Sequence, residues 1–157
     1  MALFVDKCRN NHHNYIKAIK HKGDVTMGYK EFEDFQSLVD SHLLRHRSLL
    51  DIMTKYQESA SRVNRALAKA VTSCGCVEIH AKKQEIPDDV SLSGLKAYMD
   101  SHLRGELCDQ CRDVIEKELG NQLFFMASLA NLLGIRLDEV LEKEEKKMDT
   151  LGVYGLR

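Results

Sequence analysis

The stretch CDQCRDVIEKELGNQLFFMASLANLLG, residues 108–134, decides how the rest of the chain is interpreted. It predicts one long helix with two cysteines at its start, carboxylates in its second and third turns, and an almost wholly apolar second half. Gly134 suits the left-handed position that often follows a helix. We therefore interpret this stretch as a core helix that carries polar chemistry near one end.

The composition favours one helical domain. A chain of 157 residues with 43% hydrophobic content can bury a single core, and it is short for two. It contains one proline, no tryptophan and 6% aromatic residues. This composition is more typical of helices than of strands. The expected fold is all-α, a bundle of four to five helices.

Charge and hydropathy exclude some partners. The net charge of −1 gives no electrostatic reason to expect nucleic acid or an anionic membrane. No apolar run approaches the roughly 18 to 20 residues of a membrane span. We expect a cytoplasmic protein, in which five cysteines are thiols or metal ligands rather than structural disulfides.

The chain divides into an N-terminal segment, residues 1–28, a bundle core, residues 29–148, and a tail, residues 149–157. The N-terminal segment predicts a short helix over residues 3–20 and a connection over residues 21–29. Cys8, His12 and His13 have helical spacing, but no fourth ligand is nearby, so a polar helix face is the better interpretation.

Apolar residues recur at helical spacing from residue 29 to residue 74. This pattern predicts helices over 30–55 and 60–74, and the second helix could continue to residue 83. Residues 57–61 are either a break or a change of helix face. His42, Arg45, His46 and Arg47 could bind phosphate, but a solvated helix face is the preferred interpretation.

Residues 85–94 predict a loop, after which Ser91 or Ser93 can cap a short helix. A final helix is expected over residues 137–148. Its apolar residues, predicted to face inward, are Leu137, Val140, Leu141 and Met148.

Four cysteines form two close pairs, Cys74 with Cys76 and Cys108 with Cys111. If the helices before the first pair and after the second are antiparallel, both pairs meet at one end of the bundle. Four thiolates that converge suit a tetrahedral zinc site. The alternatives are four incidental buried thiols, an iron–sulfur cluster, or a redox pair at a helix N-terminus, where the dipole lowers the thiol pKa.

Residues 117–148, KELGNQLFFMASLANLLGIRLDEVLEKEEKKM, resemble the second half of MazG-type all-α nucleoside triphosphate pyrophosphohydrolases. The resemblance lies in three motifs: Glu-Leu-Gly in the central helix, Leu-Ala-Asn-Leu-Leu-Gly at the turn that ends it, and Leu-Asp-Glu-Val at the start of the next helix. It implies a MazG-like bundle that is dimeric or a tetramer of dimers. It also implies nucleotide substrates and Mg²⁺ held by an E-x-x-E and an E-x-x-D pair.

The chain departs from that family at the metal-binding acids. Its E-x-x-D position holds Glu118 and Asn121, and aligning the upstream pair through Gly75 puts Ser73 and Cys76 where glutamates belong. Only Glu78 is near. Neutral amides, thiolates and hydroxyls are poor ligands for Mg²⁺.

The thiolate site and the family's Mg²⁺ site are hard to build from the same two helices. Asn121 lies about 15 Å along a helix from Cys111. If the cysteine pairs meet, the residues level with Glu118 come from the turn that offers Arg62, Arg65 and Lys69, and no acid. We therefore favour the thiolate site.

Three functions remain open at this stage. The first is a MazG-like bundle without standard pyrophosphohydrolase activity, with a structural zinc and a nucleotide- or partner-binding surface. The second is an active Mg²⁺-dependent pyrophosphohydrolase with rearranged acids. Its catalytic candidates are Glu118 and Glu78, with Asp113 and Glu116 also considered. The third is a thiol or metal sensor. An apolar central helix also predicts self-association.

Overall fold

The structure is a computed structural model that describes residues 25–152; the predicted N-terminal helix, with Cys8, His12 and His13, lies outside them. It has four α-helices in this range, α1 Val25–His42, α2 Leu49–Lys69, α3 Asp109–Leu132 and α4 Leu137–Leu151. A π-helical segment, Ala70–Cys74, extends α2, and Leu92–Ala97 is a 3-10 helix. Two short strands, β1 Val77–Ile79 and β2 Leu103–Gly105, pair antiparallel. The described part of the chain is therefore mostly helical, as predicted.

The first two helices are divided earlier than the sequence suggested. The break lies between His42 and Leu49, where His46 has a φ of +57°. Ser48 then caps α2, because its Oγ accepts a hydrogen bond from the backbone N–H of Asp51 at 3.2 Å. The predicted helix over 30–55 is therefore wrong at both ends, because α1 begins at Val25, inside the connection predicted over residues 21–29. At residues 57–61 the helix continues, and Ser59 is buried there.

The core lies where α1, α3 and α4 meet. Its buried members are Val39, Ala127, Ala130 and Leu137, with Phe32, Phe35, Phe124 and Met126 packed against them. Small residues on α3 allow the neighbouring helices to approach closely. Of the residues predicted to face inward from the last helix, Leu137 is buried, whereas Val140, Leu141 and Met148 stay substantially exposed.

Gln36 joins α1 to the turn between α3 and α4. Its buried side chain donates a hydrogen bond to the carbonyl of Ile135 at 2.7 Å and accepts one from the N–H of Leu137 at 2.9 Å. Asn131 donates to the Gln36 carbonyl at 2.9 Å. Gly134 lies in this turn with a φ of +65°, the left-handed position expected after the central helix.

The helices α2 and α3 pack against each other as an antiparallel pair, and this pair positions the site. The end of α2 meets the start of α3, and Arg62 of α2 lies level with Glu118 of α3. The position of Arg62 opposite Glu118 was predicted from the cysteine spacing. The segment after α2 does not continue as a helix to residue 83, because β1 begins at Val77.

The remaining connection, between β1 and β2, contains the predicted loop and its cap. Ser91 Oγ accepts a hydrogen bond from the backbone N–H of Gly94 at 3.3 Å and starts the 3-10 helix. Across residues 25–152, none of the helices combines the length and the apolar character that crossing a membrane requires.

Candidate metal centre

The local backbone at the end of α2 turns the chain back toward α3. The N–H of Gly75 donates to the carbonyl of Ala70 at 2.9 Å, which closes the π-helical turn. Gly75 has a φ of +71°, a conformation that glycine adopts without steric cost. Cys74 and Cys76 therefore flank a tight reversal instead of following one helix face.

The chain leaves the site along β1, directly after Cys76, and returns to it along β2, shortly before Cys108. Val77, which directly follows Cys76, is buried and lies opposite Gly105 in the register of β1 and β2. The φ of Gly105 is +79°, and a Cβ atom there would lie 2.6 Å from the carbonyl oxygen of Cys76. The hairpin thus fixes the distance between the first cysteine pair and the start of α3.

The second pair starts α3. Cys108 is the N-cap residue, with extended backbone angles, and Cys111 lies in the first turn. The backbone N–H of Cys111 faces the Cys108 sulfur and is the main cause that lowers the pKa of the Cys108 thiol to about 7. Such an N–H donated to sulfur is typical of the surroundings of thiolate metal sites.

All four sulfurs converge. The Sγ atoms of Cys74, Cys76, Cys108 and Cys111 lie within 4.8 Å of one another, and none of the four cysteines is in a disulfide. The Sγ atoms of Cys74 and Cys108 are 3.7 Å apart. Four sulfurs placed tetrahedrally at 2.3 Å from a zinc ion would be about 3.8 Å apart. The four side chains can therefore hold one metal ion, as predicted, with little adjustment.

The protonation of the thiols reflects their crowding. Burial, with neighbouring thiols as a further cause, raises the pKa of Cys111 and of Cys74. Four thiolates cannot share this space without a cation, because each would repel the others. A divalent ion removes that conflict, and its binding must release protons.

Cys108 is buried and Cys74 is exposed, while Cys76 and Cys111 are half-buried. One side of the centre therefore faces solvent. In the part of the chain that the structure describes, the four cysteines are the only group of three or more cysteine, histidine or acidic side chains that converge closely enough to share an ion.

The two acids predicted as catalytic lie at different levels. Glu78 is exposed on β1, where its carboxylate is 2.9 Å from Nε2 of His80. Glu118 lies on α3, about 15 Å beyond Cys108 along the helix axis. Asp113 and Glu116 are exposed on α3. Whether any of these acids catalyses a reaction stays a prediction.

Glu118 is held by one cation and one amide of the protein. Arg62 donates from Nε and Nη2 to its two carboxylate oxygens at 2.8 and 2.9 Å, and Asn121 donates to Oε2 at 3.2 Å. The Glu118 side chain is 12% exposed. The Arg62 guanidinium, followed by the Asn121 amide, lowers the pKa of the Glu118 carboxyl.

This pairing makes a pH-dependent contribution to stability. Because the pKa of Glu118 is lowered in the folded protein, the contribution is present above the ordinary glutamate pKa of 4.5 and is lost as the pH falls through the folded value. We expect Glu118→Gln to lower the melting temperature at pH 7, and the difference from wild type to close in acid. Melting curves of both proteins between pH 7 and pH 3 would measure this, and a constant difference would contradict it.

Sequence reasoning missed the strand pair and Gly105. The one signal that the sequence offers is a glycine, Gly105, three residues before the second cysteine pair. In comparisons with known proteins, the chain matches no protein-family model, no curated protein and no solved structure.

Proposed function

We propose that Cys74, Cys76, Cys108 and Cys111 bind one zinc ion that joins the end of α2 to the start of α3, and that this ion stabilises the helical bundle. The observation that carries the proposal is the convergence of the four Sγ atoms within 4.8 Å. The ligands come from a helix end, a reversal and a helix start, so one ion crosslinks three parts of the chain.

Ligand type and distance favour a single ion, such as zinc, over a cubic iron–sulfur cluster. Four thiolates in a tetrahedron suit zinc or a single iron. A cubic iron–sulfur cluster binds each cysteine to a different iron, which requires sulfurs farther apart than those that share one ion. Zinc has no redox chemistry of its own, so its role here is to fix the fold.

The test is the metal content of the protein purified without added metal. We expect one zinc per chain, and we expect chelation to remove it together with part of the helical circular dichroism. A metal-free protein with full helicity, or iron in place of zinc, would contradict the assignment.

We also propose that the chain is a MazG-like bundle that does not hydrolyse nucleoside triphosphates by that family's mechanism. The support is the state of Glu118, whose two oxygens are engaged by Arg62 and so do not face Mg²⁺. A cavity of about 220 Å³ lies beside this pair. It is smaller than the roughly 300 to 1,000 Å³ of most ligand pockets.

The basic side chains around this cavity also have partners. Nδ1 of His46 is 2.6 Å from the Asp51 carboxylate, and Lys55 pairs with Glu58 at 2.9 Å, so a triphosphate would have to displace these existing contacts. With Mg²⁺ or Mn²⁺ and a panel of nucleoside triphosphates, we expect no pyrophosphate release above that of the Glu118→Gln variant. Release by wild type that the variant lacks would restore the catalytic hypothesis.

A second candidate, a thiol sensor, is favoured by the exposure of Cys74. Hydrogen peroxide would take two electrons from two thiolates and two protons from solvent, which gives one disulfide and two water molecules. The ion would then be released because two of its four ligands are lost. This candidate requires peroxide at about one equivalent to release zinc and to be reversed by a dithiol. Zinc retained under those conditions would exclude it.

A further inference from the structure

The four cysteines of the metal centre differ in their access to solvent. Cys74 is exposed, whereas Cys76 and Cys111 are half-buried and Cys108 is only 7% exposed. Gly75, which follows Cys74, is exposed too, and no atom lies within 4 Å of the position that a Cβ atom would take there. A small polar oxidant that approaches the centre from solvent therefore reaches Cys74 first.

Cys74 has a second sulfur within reach. Its Sγ atom lies 3.7 Å from the Sγ atom of Cys108, although the two residues are 34 positions apart in the chain. The sulfurs of a disulfide are about 2 Å apart, so the two side chains would have to approach each other by less than about 2 Å. The fold therefore holds this pair close to bonding distance.

The other pairings are less direct. The Sγ atom of Cys76 lies 3.8 Å from the carbonyl oxygen of Ala70, so this sulfur is directed back toward the end of α2. Cys108 and Cys111 both lie at the start of α3, and both are less accessible to an oxidant than Cys74. An oxidised sulfur at Cys74 is thus best placed to react with Cys108.

The oxidation of this pair by a hydroperoxide has two steps. The Cys74 thiolate attacks one oxygen and breaks the O–O bond. This step gives a sulfenic acid, and the other oxygen leaves and takes one proton to become an alcohol, or water when the oxidant is hydrogen peroxide. The Cys108 thiolate then attacks the Cys74 sulfur, the S–S bond forms, and hydroxide leaves and takes a second proton to become water. The two thiolates lose two electrons, which the O–O bond accepts.

We infer that hydroperoxides oxidise the metal centre at Cys74, and that the resulting disulfide with Cys108 replaces the zinc ion as the link between α2 and α3. This inference rests on the proposed zinc site and names how that site is regulated. Cys74 ends the π-helical segment that extends α2, and Cys108 is the N-cap of α3. The disulfide therefore joins the same two helix ends that the ion joins.

Oxidation and chelation should consequently have different structural effects. Chelation removes the ion and leaves nothing in its place, so part of the helicity is lost with the zinc. Oxidation removes the ion but leaves a covalent link, so the helix pair stays joined. Cys76 and Cys111 take no part in this link, and the hairpin of β1 and β2, which follows Cys76, loses its attachment through the metal.

The test uses the full chain with Cys8→Ser, so that the four ligands are its only thiols. The protein is loaded with one equivalent of zinc and treated with one equivalent of hydrogen peroxide. A chromophoric chelator should report the release of one zinc, and peptide mapping without reduction should find Cys74 bound to Cys108. Helical circular dichroism should stay at the level of the zinc-bound protein, and a dithiol with added zinc should restore the starting state.

Two variants test the order of attack, because each leaves three thiolates around the ion. Cys74→Ser lacks the exposed sulfur, so its zinc release by peroxide should be slower by about tenfold or more. Cys76→Ser keeps the reacting pair, and it should react at the rate of the four-cysteine protein and form the disulfide between Cys74 and Cys108. Zinc content and circular dichroism before oxidation show that both variants are loaded and folded.

Three outcomes would overturn the inference. They are a main disulfide between any other pair of cysteines, equal rates of zinc release from the two variants, and a loss of helicity on oxidation as large as that on chelation. Failure of the zinc site is distinguishable, because a protein that binds no zinc contradicts that site alone. Peptide mapping of the oxidised metal-free protein would still test whether Cys74 pairs with Cys108.

Discussion

Cys108→Ser is expected to abolish stoichiometric zinc binding and to lower the free energy of unfolding by about 4 kcal/mol, because the binding energy of a structural zinc is folding energy. A hydroxyl is a poor zinc ligand beside three thiolates. Denaturant unfolding followed by circular dichroism, at one equivalent of zinc, measures the loss.

The sign of this effect is informative. Cys108 is the N-cap of α3, and serine is a better N-cap than cysteine. Without a metal, the substitution would therefore leave the stability unchanged or raise it. Cys8→Ser is the control outside the four-cysteine group and should keep one zinc. A Cys108→Ser protein with wild-type stability and zinc content would contradict the site.

Gly105→Ala is expected to be the second most damaging change, with a loss of about 3 kcal/mol from left-handed strain and steric overlap together. The new Cβ would lie 2.6 Å from the Cys76 carbonyl, which is backbone and cannot rotate away. The strand pair must shift, and Cys76 shifts with it. Zinc affinity should therefore fall along with stability, as a competition titration with a chromophoric chelator would show.

Two other glycines separate the causes of this loss. Gly75 has a φ of +71°, and no atom lies within 4 Å of the position that an added methyl group would take, so Gly75→Ala should cost only about 1 kcal/mol of backbone strain. Gly120 lies inside α3 with open space around it, so alanine there should stabilise by about 0.5 to 1 kcal/mol. If Gly105→Ala costs no more than Gly75→Ala, the close approach to Cys76 has no energetic weight.

The convergence of the cysteines could be predicted because it depends on few quantities. Two antiparallel helices of known rise fix which residues are level, and this placed Cys74 and Cys76 beside Cys108 and Cys111. The same reasoning placed Arg62 level with Glu118. The left-handed glycine after α3 was also predictable, since its residue type and position agree.

The break between α1 and α2 could not be located from the spacing of apolar residues alone. A small polar residue, Ser59, is buried against α3, so a gap in the apolar pattern marked close packing instead of a break. The true break was signalled by Ser48 three residues before Asp51, a capping pattern that competes with a continuous stripe. The strands β1 and β2 are too short for alternation to reveal them.

The inward face predicted for the last helix was only partly correct. Leu137 packs in the core, but Val140, Leu141 and Met148 remain exposed to a considerable extent, because α4 contacts the bundle mainly through α1. A single chain offers too few neighbours to bury every apolar stripe that its sequence contains. The half-exposed residues Leu49, Met53 and Leu67 of α2 are a second instance.

The central claim is that four thiolates surround one ion, and X-ray absorption at the zinc edge of the purified protein tests it most directly. We predict four sulfur neighbours at about 2.3 Å and no nitrogen or oxygen bound to the zinc. Nitrogen or oxygen neighbours at about 2.0 to 2.2 Å, or a protein that carries no zinc, would contradict it.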